Sequence, residues 1–241
     1  MATVSADRTV RRIRVWDLPL RLFHWLLVLA IAVAILSSEE DSALNQWHVM
    51  AGWVAAILVL FRIVWGFVGG EHSRFVDFVK PRALAHHVGG LLRGQPEATV
   101  GHNALGALSV LLLLAFVAAT VGTGILLAGE LHEVIAWAMV ALVGVHVAAV
   151  VVMSLMTRES LVGAMVTGSK IAARHPEARD ARPPSVLGLI LAVLIVLGGI
   201  YAVLAYDPLA FTPRSAESYE HRASPGHQTV PAGQDEQGER D

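Results

Sequence analysis

The chain has 241 residues, of which 55% are hydrophobic and only 16% charged, with a mean hydropathy of +0.58 and a formal net charge of −2. Soluble domains carry about 25% charged residues, so a chain this apolar belongs in a bilayer if its apolar residues are clustered. The net charge says nothing about nucleic acid, but no basic stripe interleaved with aromatics appears, and no nucleic-acid partner is expected.

The apolar residues are clustered, in runs near 20–37, 48–70, 103–128, 133–156 and 185–206. Each is long enough to cross a hydrocarbon layer ~30 Å thick as a helix. Membrane β-strands would be ~10 residues long and alternating, which these runs are not. The predicted fold is therefore all-α: an integral membrane four-helix bundle with helices at about 18–38, 48–70, 102–128 and 132–156, plus a fifth C-terminal transmembrane helix at 185–206.

Residues 1–14 are polar and basic, with Arg8, Arg11, Arg12 and Arg14. The connection 38–47 holds three acids and no Lys or Arg, whereas 71–101 carries Arg74, Lys80, Arg82 and Arg93. The link 129–133 is acidic again, and 157–184 returns to basic with Arg158, Lys170, Arg174, Arg179 and Arg182. The positive-inside rule then places the N-terminus in the cytoplasm and the tail 207–241 outside. No signal peptide is evident. Segment 71–101 is too polar to span, and its scattered Phe and Leu residues suit the membrane surface. Residues 171–184 read as a cytoplasmic linker, and the Pro-, Gly- and Gln-rich tail 207–241 reads as disordered. The fifth run contains no histidine and reads as an appended anchor or docking helix.

His132 and His146 share one apolar run and are 14 residues apart, about 21 Å of helical rise and within ~40° of a whole number of turns. Both imidazoles then lie near one stripe, one at each end of the hydrocarbon core. By span order, His48 opens the second helix at the same outer depth as His132, and His24 sits one turn inside the first helix at the inner depth of His146. Two histidines at each depth, from different helices, fit two stacked bis-histidine haems. Cysteine is absent, which excludes disulfides, thiolate iron–sulfur ligation and covalent c-type attachment. Any haem is therefore haem b, held by coordination and packing.

Gly52 follows His48 by one turn, and Gly101, Gly106, Gly122, Gly124 and Gly144 are further small residues that let helices or a flat macrocycle approach. Arg62 is a charge inside the second helix. It meets a haem propionate on one reading and snorkels to the headgroups on the other. His102 is open between iron ligand, propionate contact and quinone contact. His72, His86, His87, His175, His221 and His227 fall in polar segments and read as solvated.

The stretch Trp16-Asp17-Leu18-Pro19-Leu20-Arg21-Leu22-Phe23-His24-Trp25 resembles the opening of the bacterial cytochrome b561 / nickel–iron hydrogenase b-type cytochrome subunit family. Arg62-Ile63-Val64-Trp65-Gly66-Phe67-Val68-Gly69 is similar to the end of that family's second helix, and Gly101-His102-Asn103 to the start of its third. The pattern continues through His132-Glu133 and His146 to Arg158-Glu159-Ser160-Leu161-Val162 and Thr167-Gly168-Ser169-Lys170, covering roughly residues 15–170. The resemblance implies a di-haem b electron carrier of the bacterial inner membrane, with ligands at His24, His48, His132 and His146. It implies exchange of electrons between the quinone pool and a periplasmic redox protein, a c-type cytochrome or a hydrogenase. The fifth helix and tail depart from the short four-helix cytochromes and leave that partner, and the oligomeric state (a homodimer included), open.

Two other classes compete. A self-contained membrane oxidoreductase, acting on metal ions or superoxide at the outer haem, predicts turnover with no protein partner. A haem-free transporter or anchor predicts no Soret band. Quinone at the inner haem would use His102 and Asn103 as hydrogen-bond donors.

Overall fold

The computed structural model describes residues 11–39, 41–78, 99–215, 217 and 219. The surface segment expected around 79–98, with His86 and His87, and the tail residues His221 and His227 lie outside the described residues.

Three of the five long helices begin where a polar side chain caps them. Asp17 accepts from the Leu20 amide at 2.8 Å and opens α1 (Leu18–Leu36), with Pro19 in the first turn. After a short 3-10 turn at Asn45–Trp47, α2 (His48–Val68) returns across the layer and is followed by the short α3 (Phe75–Phe78). Asn103 accepts from the Gly106 amide at 2.7 Å and starts α4 (Ala104–Ile125). Leu127 takes a left-handed φ of 55°, which turns the chain tightly into α5 (Gly129–Thr157). The acidic link expected at 129–133 is therefore the first turn of α5, and His132 lies inside the helix. Ser160 caps α6 (Leu161–Thr167), and Ser185 caps α7 (Val186–Tyr206). Five of these helices are long and apolar enough to cross a membrane, and the protein is a multi-pass membrane protein.

Helix α2 is the central one. It packs against α1, α4 and α7, while α5 packs chiefly on α4. Small and medium side chains bring four helices together at mid-depth: Ala30, Ala55, Val59, Val117 and Met139 are buried in one cluster. The outward residues of α5 and α7, among them Leu131, Trp137, Leu155, Leu187 and Leu197, are exposed and apolar, as lipid contact requires. The fifth helix is not set apart. A Cβ on Gly188 would meet the Val68 carbonyl oxygen at 2.6 Å, so α7 touches the backbone of α2 where only glycine fits. Ala192 joins Leu20, Phe23 and Trp65 in a second cluster.

Residues outside the spans form structure at both ends. Strand β1 (Arg12–Arg14) pairs antiparallel with β2 (Ser169–Ile171), the one sheet among the described residues. The segment 171–184, expected to be a linker, folds into this cap. Arg179 forks onto Glu71 with two contacts of 3.0 Å, and the Ala181 amide donates to the Arg14 carbonyl at 2.9 Å. Gly168, at φ 79°, offers its carbonyl to the amides of Val15 and Trp16, and a Cβ there would meet the Trp16 carbonyl at 2.8 Å. At the far end, residues after α7 fold back instead of starting a disordered tail: Asp207 accepts from Trp53 Nε1 at 3.0 Å and pairs with Arg214, whose amide donates to the Gln46 carbonyl at 2.6 Å.

The cap holds a buried ion cluster. Glu159 meets Lys170 Nζ at 3.0 Å and His175 Nε2 at 3.1 Å, and Lys170 also donates to the Thr99 carbonyl at 2.9 Å. His175, expected in solvent, is 5% exposed. Burial pushes the Glu159 carboxyl up, and the Lys170 hydrogen bond and charge, joined by His175, outweigh it, so the group sits below its usual value. A carboxyl lowered by folding contributes stability above its unfolded pKa, and that contribution is lost as pH falls through the folded pKa. The thermal midpoint should therefore drop on acidification below about pH 4. Glu159→Gln should flatten that dependence and, by leaving Lys170 buried without its counter-charge, cost about 3–5 kcal/mol at neutral pH. Melting followed by circular dichroism in detergent checks both. Gly188→Val should separate α7 from α2 and lower the same midpoint, at a cost of about 1–3 kcal/mol.

Candidate functional site

The histidines come together in two pairs. At the far end, away from the cap, His48 is the first residue of α2 and His132 lies in the first turn of α5. Their ring centroids are 6.1 Å apart and their planes cross at 82°. His48 Nδ1 donates to the Ala34 carbonyl at 2.9 Å, and His132 Nδ1 donates to the Thr120 carbonyl at 2.9 Å, with the Thr123 hydroxyl at 3.3 Å. A carbonyl only accepts, so the proton is on Nδ1 and Nε2 keeps its lone pair on both rings.

At the cap end, His24 lies in the second turn of α1, and His146 follows His132 by 14 residues on the unbroken α5. His146 Nδ1 is 2.9 Å from the Ser109 hydroxyl of α4. His24 Nδ1 is buried with no hydrogen-bond partner among the described residues. The two imidazoles are within electrostatic reach of each other.

The remaining candidates gather at the cap end. Arg62 follows His48 by 14 residues on α2, so it continues the His48 stripe to the depth of His146. It is 2% exposed, with its guanidinium 4.7 Å from the centre of the Phe75 ring. The side chain is turned into the protein and does not snorkel. His102 packs against Trp16 with ring centroids 4.6 Å apart. Burial pushes its imidazole down to about 3, and Arg62, His72, Lys170 and His146 add repulsion in that order; it is a neutral hydrogen-bonding group at physiological pH. Asn103 spends its side-chain oxygen on the α4 cap. His72, expected in solvent, is partly buried at φ 71° beside Trp16.

The glycines divide by role. A Cβ on Gly52 or Gly122 would meet nothing within 4 Å, whereas one on Gly124 would press on His132 Cε1 at 3.2 Å. Gly124 thus lets the imidazole lie flat against α4, and Gly52 leaves open space one turn from His48.

Three supporting residues carry no mark in the sequence reading. Ser109 is a hydroxyl set among apolar residues on both sides, which is the signal that singles it out. Thr120 and Thr123 show the same signal one turn apart. Asp17 appears there only as part of a motif, yet its carboxylate accepts from the Leu20 amide, Trp65 Nε1 at 3.0 Å, the Gly70 amide at 3.2 Å and Ser73 Oγ at 2.6 Å. It ties the start of α1 to the end of α2.

Among the described residues no group of three or more His, Asp or Glu could hold a metal ion. Paired imidazoles suit instead a metal that brings its own planar ligands. Two metal–nitrogen bonds of about 2 Å place two axial ring centres roughly 6 Å apart, the spacing of the His48–His132 pair. The Nδ1 hydrogen bonds of His48 and His132, their available Nε2 atoms and the open space at Gly52 fit haem b.

The model of the prokaryotic cytochrome b561 family matches residues 15–168. The probable Ni/Fe-hydrogenase B-type cytochrome subunit of Bradyrhizobium diazoefficiens is 25% identical over 224 residues, spanning 70% of this chain and 91% of that protein. The protein of the same description from Azotobacter vinelandii is 28% identical over 224 residues, spanning 70% of this chain and 93% of its own. The Escherichia coli K12 probable Ni/Fe-hydrogenase 1 B-type cytochrome subunit is 30% identical over 115 residues, 37% of this chain and 48% of that one. No solved structure matches. With the family's match running from the start of α1 to the end of α6, the chain belongs to the prokaryotic cytochrome b561 family and is a membrane b-type cytochrome of electron transport.

Proposed function

We propose that the chain carries electrons across the bacterial inner membrane through two b haems, His48 and His132 holding one and His24 and His146 the other. The observation that carries this reading is the hydrogen bonding of the Nδ1 atoms. Peptide carbonyls keep the proton of His48 and His132 on Nδ1 and leave Nε2 its lone pair, and His146 Nδ1 meets the Ser109 hydroxyl. When bound, each haem supplies a one-electron iron couple. The imidazoles of His48 with His132 and of His24 with His146 would hold one haem each, and the rise from His132 to His146 separates the two sites by about 21 Å along α5.

The charge alternation of the connections supports a cytoplasmic cap and a periplasmic far end. A quinone headgroup at the cap end would meet His102, whose buried neutral imidazole suits hydrogen bonding to a carbonyl or phenol oxygen. At the far end the partner is a periplasmic redox protein. A hydrogenase is favoured over a c-type cytochrome because the relatives are described as hydrogenase cytochrome subunits.

Purified protein should contain two haems per chain. His48→Ala and His132→Ala should each lose the same haem, and His24→Ala and His146→Ala the other, as measured by haem quantification and reduced-minus-oxidised spectra. His102→Ala should keep both haems and slow quinol oxidation by tenfold or more. Loss of a haem in His102→Ala with retention in His24→Ala would reassign the cap-end ligand. In vesicles loaded with an electron acceptor, an external reductant should discharge it only through chain carrying both pairs.

A further inference from the structure

Beside the contact of Gly188 with the Val68 carbonyl, a groove of about 260 Å³ lies between the end of α2 and the start of α7. Phe67 and Val68 line it from α2, and Leu187 and Leu191 from α7. Phe67 and Leu187 are 70% and 75% exposed, so the groove opens toward lipid. The polar residues of its lining, Arg74 and Ser185, lie beyond the ends of the two spans. Apolar walls under a polar rim, at the depth where hydrocarbon gives way to headgroups, match the order of groups along a phospholipid. The volume suits a stretch of one acyl chain. It is too small for a helix of another protein, which is about 10 Å across.

The rim carries a charge pair. Arg74 Nε donates to Asp77 Oδ2 at 2.7 Å, and both side chains are partly exposed. Among the described residues the Arg74 Nη atoms and Asp77 Oδ1 make no bond of their own. The guanidinium fork can grip a phosphate, and the carboxylate oxygen beside it can accept from a primary ammonium. Because the pair is neutral as a whole, a purely anionic headgroup would gain from Arg74 and be repelled by Asp77. A zwitterion gains from both. Glu71, a further acid of this connection, is taken up by Arg179 and by the Arg182 amide.

We propose that this groove holds one aminophospholipid from the leaflet on the cap side. Its phosphate lies on Arg74, its primary ammonium on Asp77, and an acyl chain against Phe67, Leu187 and Leu191. The lipid extends the contact between α2 and α7. The site requires neither histidine pair.

Native mass spectrometry of the purified full chain tests this, after delipidation and addition of phosphatidylethanolamine, phosphatidylcholine or phosphatidylglycerol with the same acyl chains. One phosphatidylethanolamine per chain should be retained most strongly. Arg74→Gln should weaken that retention about tenfold, the cost of one charge-assisted bond. Asp77→Asn should remove the preference over phosphatidylglycerol while leaving a phospholipid bound. Leu191→Trp, which fills the groove and changes neither charge, should release the lipid as Arg74→Gln does. Arg11→Gln, at an exposed cation elsewhere on the cap, should change nothing. Glycerophosphoethanolamine, the headgroup without its chains, should not compete. Equal retention of the three lipids would mean an annular shell only and would overturn the proposal. So would a preference for phosphatidylglycerol, unchanged retention in Arg74→Gln, or displacement by the chain-free headgroup. Should Arg74→Gln fail to fold, the Leu191→Trp result decides.

Discussion

An imidazole inside a hydrocarbon layer has two ring nitrogens to satisfy and no water to do it. The chain meets one half of that demand from its own backbone and hydroxyls. Ala34, at the end of α1, offers a carbonyl to His48, and Thr120, in α4, offers one to His132. Both donors and both acceptors belong to different helices, so each hydrogen bond also pins one helix against another. On the proposed reading the other half, Nε2, would hold a haem iron. Site and bundle are therefore one construction: moving α1 or α4 by a turn would strip the histidines of their support.

That constraint explains the role of α2. It carries His48 at one end and Arg62 at the other on a single stripe, and it packs against α1, α4 and α7 at once. Asp17 locks its cap end to α1 through Trp65 Nε1, and Trp53 locks its far end to Asp207 beyond α7. The glycines of α7 bring that helix onto the opposite face of α2, away from the histidines. The fifth helix thus buttresses the helix that presents His48 and contains no histidine itself.

The spans and the depth pairing were legible because both follow from local spacing: run length sets the span, and 14 residues set the rise between His132 and His146. His48 and His24 were reached by counting crossings. The cap was not legible, because it joins residues far apart in the chain. Arg14 meets Asp180, Glu71 meets Arg179, and Glu159 meets Lys170 and His175. Each of these segments is polar by composition and reads as solvated until its partner is known. The same reason hid His72, which lies against Trp16 across more than fifty residues. Ser109 is hidden for a different cause: a hydroxyl in an apolar helix usually bonds its own backbone, as Thr157 does here with the Met153 carbonyl.

The central claim is that four histidines fill both axial positions of two irons. Electron paramagnetic resonance of the oxidised, purified chain, with spins counted against protein, tests it most directly. The account predicts two low-spin ferric centres per chain. A single centre, or a high-spin signal of comparable size from an iron with an open axial position, would contradict it.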